Sequence, residues 1–262
     1  MSRGLDMHRT PTIAVILLAA LAASAAAKDW RFGAGAAYDS GKYGTGIRTD
    51  SVSLPFTLTR YYHFGEVSAT AAWLRQSSKG RVTRVWGLPA RLPATRGPSS
   101  AESGPGDILV RGTLALKTEK EDAFDLALVG RLKLPTADKD KGLGTGQLDQ
   151  GAGLEFSKDI AGRWTLLLNG YYTIIGDPRN FNFNNELALA AGFRKRLNEV
   201  LSLEGLYETR SALVDGTDDP RDLRGLLTYT KADGDVLSAG LLLGLSEGSP
   251  SVGLSFGFSR RL

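Results

Sequence analysis

The sequence contains no cysteine. A chain exported without cysteine has no disulfide and no thiolate metal site, so backbone pairing and burial must hold it together. Histidine is almost as scarce. Of the two present, His8 falls in the N-terminal leader described below and only His63 lies beyond it. Long hydrophobic runs are missing too: past residue 27 nothing reaches the roughly 18 to 20 consecutive apolar residues that a membrane-spanning helix requires. Charge of one sign is also not in excess. Lys and Arg number 32 against 28 Asp and Glu, a formal +4, with the two signs interspersed along most of the chain. That pattern speaks against nucleic acid, whose binders gather Lys and Arg on one face.

What is present begins with "MSRGLDMHRTPTIAVILLAALAASAAAKDW". Arg3 and Arg9 precede an apolar run from Thr12 to Ala22, which ends in Ala25, Ala26 and Ala27. This is the order of a secretory signal peptide over residues 1–27, with translation starting at Met1 or Met7. The apolar run is too short for a retained anchor, and losing two arginines and Asp6 with the leader takes the charge from +4 to +3. Residues 28–262 form the mature part.

There, segment after segment alternates with period two, the mark of strands with one apolar and one polar face. Phe124, Leu126, Leu128, Gly130, Leu132 and Leu134 share one face, with Asp125, Ala127, Val129, Arg131 and Lys133 on the other. The pattern returns in Trp164, Leu166, Leu168, Gly170, Tyr172 and Ile174, and in Val252, Leu254, Phe256 and Phe258. About twelve such segments follow, near 30–38, 51–62, 65–76, 106–118, 123–135, 147–158, 163–175, 184–196, 200–211, 221–231, 235–246 and 251–261. Each approaches the 9 to 11 residues with which a tilted strand crosses a bilayer. Alternate links are short, at 63, 119, 159, 197 and 232. The links between them are mostly longer, at 39–50, 77–105, 136–146, 176–183 and 212–220, with "EGSP" at 247 the exception. Short periplasmic turns and long outer loops are the asymmetry of an outer-membrane barrel. The expected fold is therefore all-β: a transmembrane, antiparallel, up-and-down β-barrel of about 12 strands.

A soluble sandwich or barrel also alternates, but its water-facing side must be strongly charged. Here the second face holds small residues, such as Ser238, Gly240 and Gly244, or Ser251, Gly253, Ser255 and Gly257, which suits a crowded lumen. Trp30, Tyr61, Tyr62, Trp164, Tyr171 and Tyr172 gather near segment ends, where aromatic girdles belong. The end of the chain, "SVGLSFGF" at 251–258, resembles the terminal signal that the outer-membrane barrel assembly machinery pairs with, except that the chain finishes "SRRL".

"LKLPTADKDKGLGTGQLD" at 132–149 has the glycines of a phosphate loop but not its context. Gly142, Gly144 and Gly146 do not space as G-x-G-x-x-G, no Gly-Lys-Ser/Thr follows, and the next residues alternate as a strand where a helix should open. The stretch reads as an outer hairpin loop with glycines free to take positive φ. The same residues carry a resemblance. Gly106-Asp107, "GRLKLPT" at 130–136 and "GLGTGQLD" at 142–149 are similar to the transporter family named for the meta-pathway of phenol degradation, which is related to the fatty-acid and aromatic-hydrocarbon channels. The specific match covers about 106–158. The resemblance implies an outer-membrane barrel admitting hydrophobic or aromatic compounds. About two residues separate the expected cleavage site from Trp30, which leaves no space for the N-terminal hatch of the fatty-acid channels.

No catalytic site is expected. Barrel hydrolases use a His near the outer rim, whereas His63 falls in a short turn. Glu204 and Glu208 share a strand face but stand roughly 13 Å apart by strand rise, which implies no glycosidase. No residues have metal-ligand spacing, and "DGTDD" at 215–219 reads as a solvated loop tip. No cofactor is expected.

The alternation directs Arg111, Lys117, Arg131, Lys133, Arg194, Arg210 and Arg224 inward, opposed by Asp125, Asp149, Glu155, Glu204 and Glu208. These residues are the candidate lumen lining, either as a transverse field that guides solutes or as pairs that fill a barrel of this size. The 77–105 loop, with Trp86, Leu88 and Leu92 among prolines, is the candidate gate. The expectation is an outer-membrane channel passing small hydrophobic or aromatic compounds by passive diffusion, with the bilayer, the assembly machinery and those solutes as partners. The alternative is a non-conducting structural or surface-binding barrel.

Overall fold

The computed structural model describes residues 30–78, 82–85, 88–91, 100–178 and 181–262. The expected leader lies outside them. Twelve long strands make the wall: β1 (Trp30–Gly41), β2 (Thr49–Tyr62), β3 (Gly65–Ser78), β7 (Ile108–Lys117), β8 (Asp125–Leu134), β9 (Asp149–Asp159), β10 (Trp164–Ile174), β11 (Glu186–Arg196), β12 (Leu201–Arg210), β13 (Arg221–Thr230), β14 (Val236–Gly244) and β15 (Val252–Arg261). Each pairs antiparallel with its neighbours in the chain, and β1 pairs with both β2 and β15. The sheet thus closes on itself and leaves no edge among these strands, the condition for a sheet to stand in hydrocarbon. Beside the seam, the Leu262 amide donates to the Trp30 carbonyl at 2.9 Å.

All twelve wall strands coincide with the alternating segments. The structure adds three strands inside the long 77–105 connection. β4 (Val82–Val85) and β5 (Leu88–Arg91) form a small hairpin, and β6 (Ser100–Pro105) pairs with β3. β6 and β7 run on as one strand opposite β3, broken at Gly106-Asp107, where the Gly106 amide still reaches the Ala72 carbonyl at 2.8 Å. The residues of β6, SAESGP, carry no apolar alternation, so periodicity does not reveal it. The "EKED" link is one helical turn, α1 (Glu119–Asp122).

The two faces separate apolar from polar. Outward-facing Phe56, Trp73, Leu128, Leu154, Leu203, Leu241 and Phe256 are exposed, while Arg84, Lys133, Asp149, Glu186, Arg210 and Asp222 are buried. Buried charges with exposed leucines invert a soluble protein. An apolar surface of this extent belongs against another apolar medium. Small residues let the strands approach: a Cβ on Gly65 would lie 1.9 Å from the Thr113 carbonyl oxygen, so only glycine permits β2 to turn into β3 there.

Candidate functional site

At the long-loop end, the residues of the family-like motifs converge. Lys133, at the end of β8, places Nζ 2.8 Å from an Asp149 carboxylate oxygen, 3.6 Å from Asp107 and 2.9 Å from the Thr145 hydroxyl. Asp107 accepts the Ala137 amide at 3.0 Å, and Asp149 accepts the Gly176 amide at 2.9 Å. The Thr136 hydroxyl accepts from the Ile108 amide at 3.0 Å and donates to the Gly106 carbonyl at 3.1 Å. Gly142 and Gly146 take φ of 69° and 71°, the positive values expected of turn residues. Gly144 serves otherwise: a Cβ there would meet the Asp107 carboxylate at 2.7 Å. Leu143 packs on Leu74 and Ala137. The motif is thus a clip that fastens the 135–148 loop to β7, β8 and β9. Lys133 and Asp149 are 1% and 0% exposed, so they belong to that clip and offer no surface to a solute.

Below the clip, ion pairs ladder the inner wall. Arg111 meets Glu155 at 2.7 Å, Arg194 donates twice to Glu204 at 3.0 and 2.7 Å, and Arg224 meets Glu208 at 3.3 Å. Arg210 reaches Asp222 at 2.9 Å and Glu208 at 3.2 Å. Arg131 donates to Thr173 at 2.9 Å and lies 4.1 Å over the Tyr171 ring. Lys117 pairs with Asp122 at the short-turn end, and Asp125 accepts the Glu119 amide and the Ser157 hydroxyl.

Tyr171 corrects the girdle expectation. It faces inward, donating its hydroxyl to Glu155, while the adjacent Tyr172 stays outside. Strand parity already separated them; proximity to a segment end misassigned Tyr171. Glu186, Asp222 and Asn169 also belong inside, and the same parity would have found them from Arg194, Arg224 and Tyr171. Across from this charged wall, β14, β15, β1 and β2 present mostly small residues, Ser238, Gly240, Gly253, Ser255, Gly257, Gly33, Gly35, Pro55 and Thr57, with Arg31 and Asp39 of β1 as the charges lining the same cavities.

Open volume lies between the walls. An upper cavity of about 350 Å³ is bounded by Arg131, Tyr171, Glu186, Glu208, Arg210 and Arg224. A middle one of about 370 Å³ shares Arg224 with it and adds Leu206, Leu226, Leu242, Ala37 and Asp39. Glu204 borders both the middle cavity and a lower one of about 480 Å³ beside Lys117, Asp125 and Arg194. Ser255 borders both the middle cavity and another of about 310 Å³ beside Arg31 and Ser259. Each is of the size that holds a small molecule.

Above the upper cavity the loops meet. Val85 of β4 packs with Ile175 and Phe183, flanked by Phe181, Leu213 and Val214. Arg84 beside it is buried, and burial lowers its pKa while the neighbouring Asp39 raises it. Tyr43 donates its hydroxyl to Asp39, and burial, reinforced by that carboxylate, pushes its pKa well up. Of the expected gate residues, Trp86 and Leu92 lie outside the described residues, and for Leu88 only the backbone, in β5, is described. His63 sits in the β2–β3 turn, edge-on to Phe64. Among the described residues no group of His, Cys, Asp or Glu could hold a metal ion.

Known structures share the architecture. An outer-membrane channel from Pseudomonas putida F1 superposes with a TM-score of 0.68 at 16% identity, over 90% of this chain and 96% of that one. The translocator domain of the autotransporter NalP from Neisseria meningitidis gives 0.53 at 11% identity, over 95% and 93%. The NanC porin gives 0.51 at 9%, over 87% and 97%. At these identities the likeness is one of fold, that of outer-membrane barrels. No curated protein sequence matches the chain significantly. Residues 44–262 match the family described as "Putative MetA-pathway of phenol degradation", and the chain belongs to that family.

Proposed function

We propose that this barrel is an outer-membrane channel admitting small hydrophobic or aromatic compounds by passive diffusion. In this reading the leader directs export, the short turns face the periplasm, and the terminal strand is handed to the barrel assembly machinery. The observation that carries the proposal is the succession of cavities. Arg224 borders the upper and middle ones, and Glu204 and Ser255 each border the middle one and one of the lower pair. A barrel serving only as a scaffold has no need of a succession of cavities, and an interior of this girth can be filled by side chains alone. The family description and the fold of the Pseudomonas putida channel support the same reading.

The charged residues then act by position: Arg111, Arg131, Glu155, Arg194, Glu204, Glu208, Arg210 and Arg224 give the solute its polar wall, and the glycine-rich strands give it room. The second reading, a non-conducting surface barrel, draws on the mouth, where Val85 meets Ile175 and Phe183 over the upper cavity. Planar bilayers separate the two. A channel gives stepwise conductance, and liposomes holding it take up labelled aromatics. Silent bilayers with no uptake would leave only the surface barrel.

A further inference from the structure

The inner ion pairs are balanced in number but not in what they present. In the Arg194–Glu204 pair the arginine side chain is 45% exposed and the glutamate 16%. In Arg224–Glu208 the values are 40% and 19%. The longer guanidinium reaches past its carboxylate into the lumen, so a solute meets the cation first. Glu204 is engaged twice by Arg194, Glu208 is shared between Arg210 and Arg224, Asp125 accepts an amide and a hydroxyl, and Asp39 accepts the Tyr43 hydroxyl. Arg224 Nε is buried with no hydrogen-bond partner, as is Asp222 Oδ1. Each of these carboxylates is held by a cation or a donor, and the guanidinium is the more exposed member of both pairs, an arrangement that favours an anion.

The middle cavity supplies the rest of a site. Arg224 stands at its border with the upper cavity, Leu206, Leu226, Leu242 and Ala37 line it with apolar surface, and its two carboxylates, Asp39 and Glu204, are engaged by Tyr43 and Arg194. From this we infer that, within the channel reading on which the inference rests, the preferred solutes are small organic anions. A carboxylate is taken by Arg224 and then passed to Arg194 below, while an apolar body about one ring in size lies against the leucines. Arg224 and Arg194 are the specificity-determining residues. A guanidinium is suited to the role because its planar fork matches a carboxylate and keeps its charge at any physiological pH.

The test uses the full barrel in planar bilayers at pH 8. Under a potassium chloride gradient the reversal potential shows chloride favoured over potassium. Arg224→Gln reduces that preference about two- to fivefold, the weight of one solvated charge, whereas Arg224→Lys retains most of it. Benzoate added to one side interrupts the wild-type current, and benzylammonium, with the same ring, does so at least about tenfold less well. That factor is what one charge-assisted hydrogen bond is worth. This second comparison needs no variant, so it stands even where Arg224→Gln fails to fold. A conducting barrel that favours potassium, or that benzoate and benzylammonium block alike, overturns the inference and leaves the channel standing. A barrel that never conducts removes both.

Discussion

Replacing Leu154 with arginine examines the lipid-facing wall at its middle. Leu154 is 49% exposed and is paired across the strands with Leu128 and Gly170, so no neighbouring side chain can shelter a charge. It is the sixth of the eleven residues of β9. About five residues of strand rise separate it from either end, roughly 17 Å, or about 12 Å along the membrane normal once strand tilt is allowed for. An arginine side chain cannot span that distance to water without deforming the bilayer. The expected cost of Leu154→Arg is therefore about 2 to 4 kcal/mol, against about 0 to 1 for Tyr229→Arg near the short-turn end. Reversible urea unfolding of the barrel in lipid vesicles, followed by tryptophan fluorescence, measures both. Equal costs at the two positions, or no cost at Leu154, would refute the argument that hydrocarbon solvates this face.

Two further outcomes follow. Lys133→Met leaves Asp149 buried beside Asp107 without a cation, so the barrel should lose about 3 to 5 kcal/mol and residues 136–148 should become cleavable by protease. Asp149→Asn removes the stranded charge and should recover part of that loss in the double variant. Tyr43 supplies a pH dependence at the mouth. Its pKa is raised in the folded state, so its contribution is complete below the ordinary tyrosine value of about 10 and is lost as pH rises past it, because an unfolded loop ionises first. In an absorbance titration, Tyr43→Phe should delete the component that ionises at the highest pH. Deletion of an ordinary component would contradict the burial of Tyr43 against Asp39.

The wall was legible because its two sides face different media. Leu126, Leu128 and Leu132 alternate with Ala127, Val129 and Arg131 whatever the strand pairs with, so period two survives without knowledge of the register. The same parity placed Arg111, Glu155, Arg194 and Glu204 on one face. It would have placed Tyr171 there as well, had position near a segment end not been weighed above it. What parity cannot carry is which charge meets which. Lys133 is charged and inward by pattern, yet its neighbour Asp107 sits at the β6–β7 break and Asp149 opens β9, and their meeting depends on the β7–β8–β9 register. The clip therefore showed in the sequence only as a family-like string. The loops were least legible. β6 lacks alternation, and Val85 reaches Ile175 and Phe183 only through the folding of two separate connections.

The central claim is that the leucine face meets lipid while its neighbours meet the polar lumen. The absence of native cysteine makes the decisive measurement simple. Single cysteines placed in turn at residues 152 to 157, each carrying a nitroxide label in a lipid-embedded barrel, report collisions with oxygen, which concentrates in hydrocarbon, and with a water-soluble nickel chelate. The account predicts oxygen maxima at Ala152, Leu154 and Phe156 and minima at Gly153, Glu155 and Ser157. A profile without that alternation, or with nickel maxima at the even positions, contradicts it.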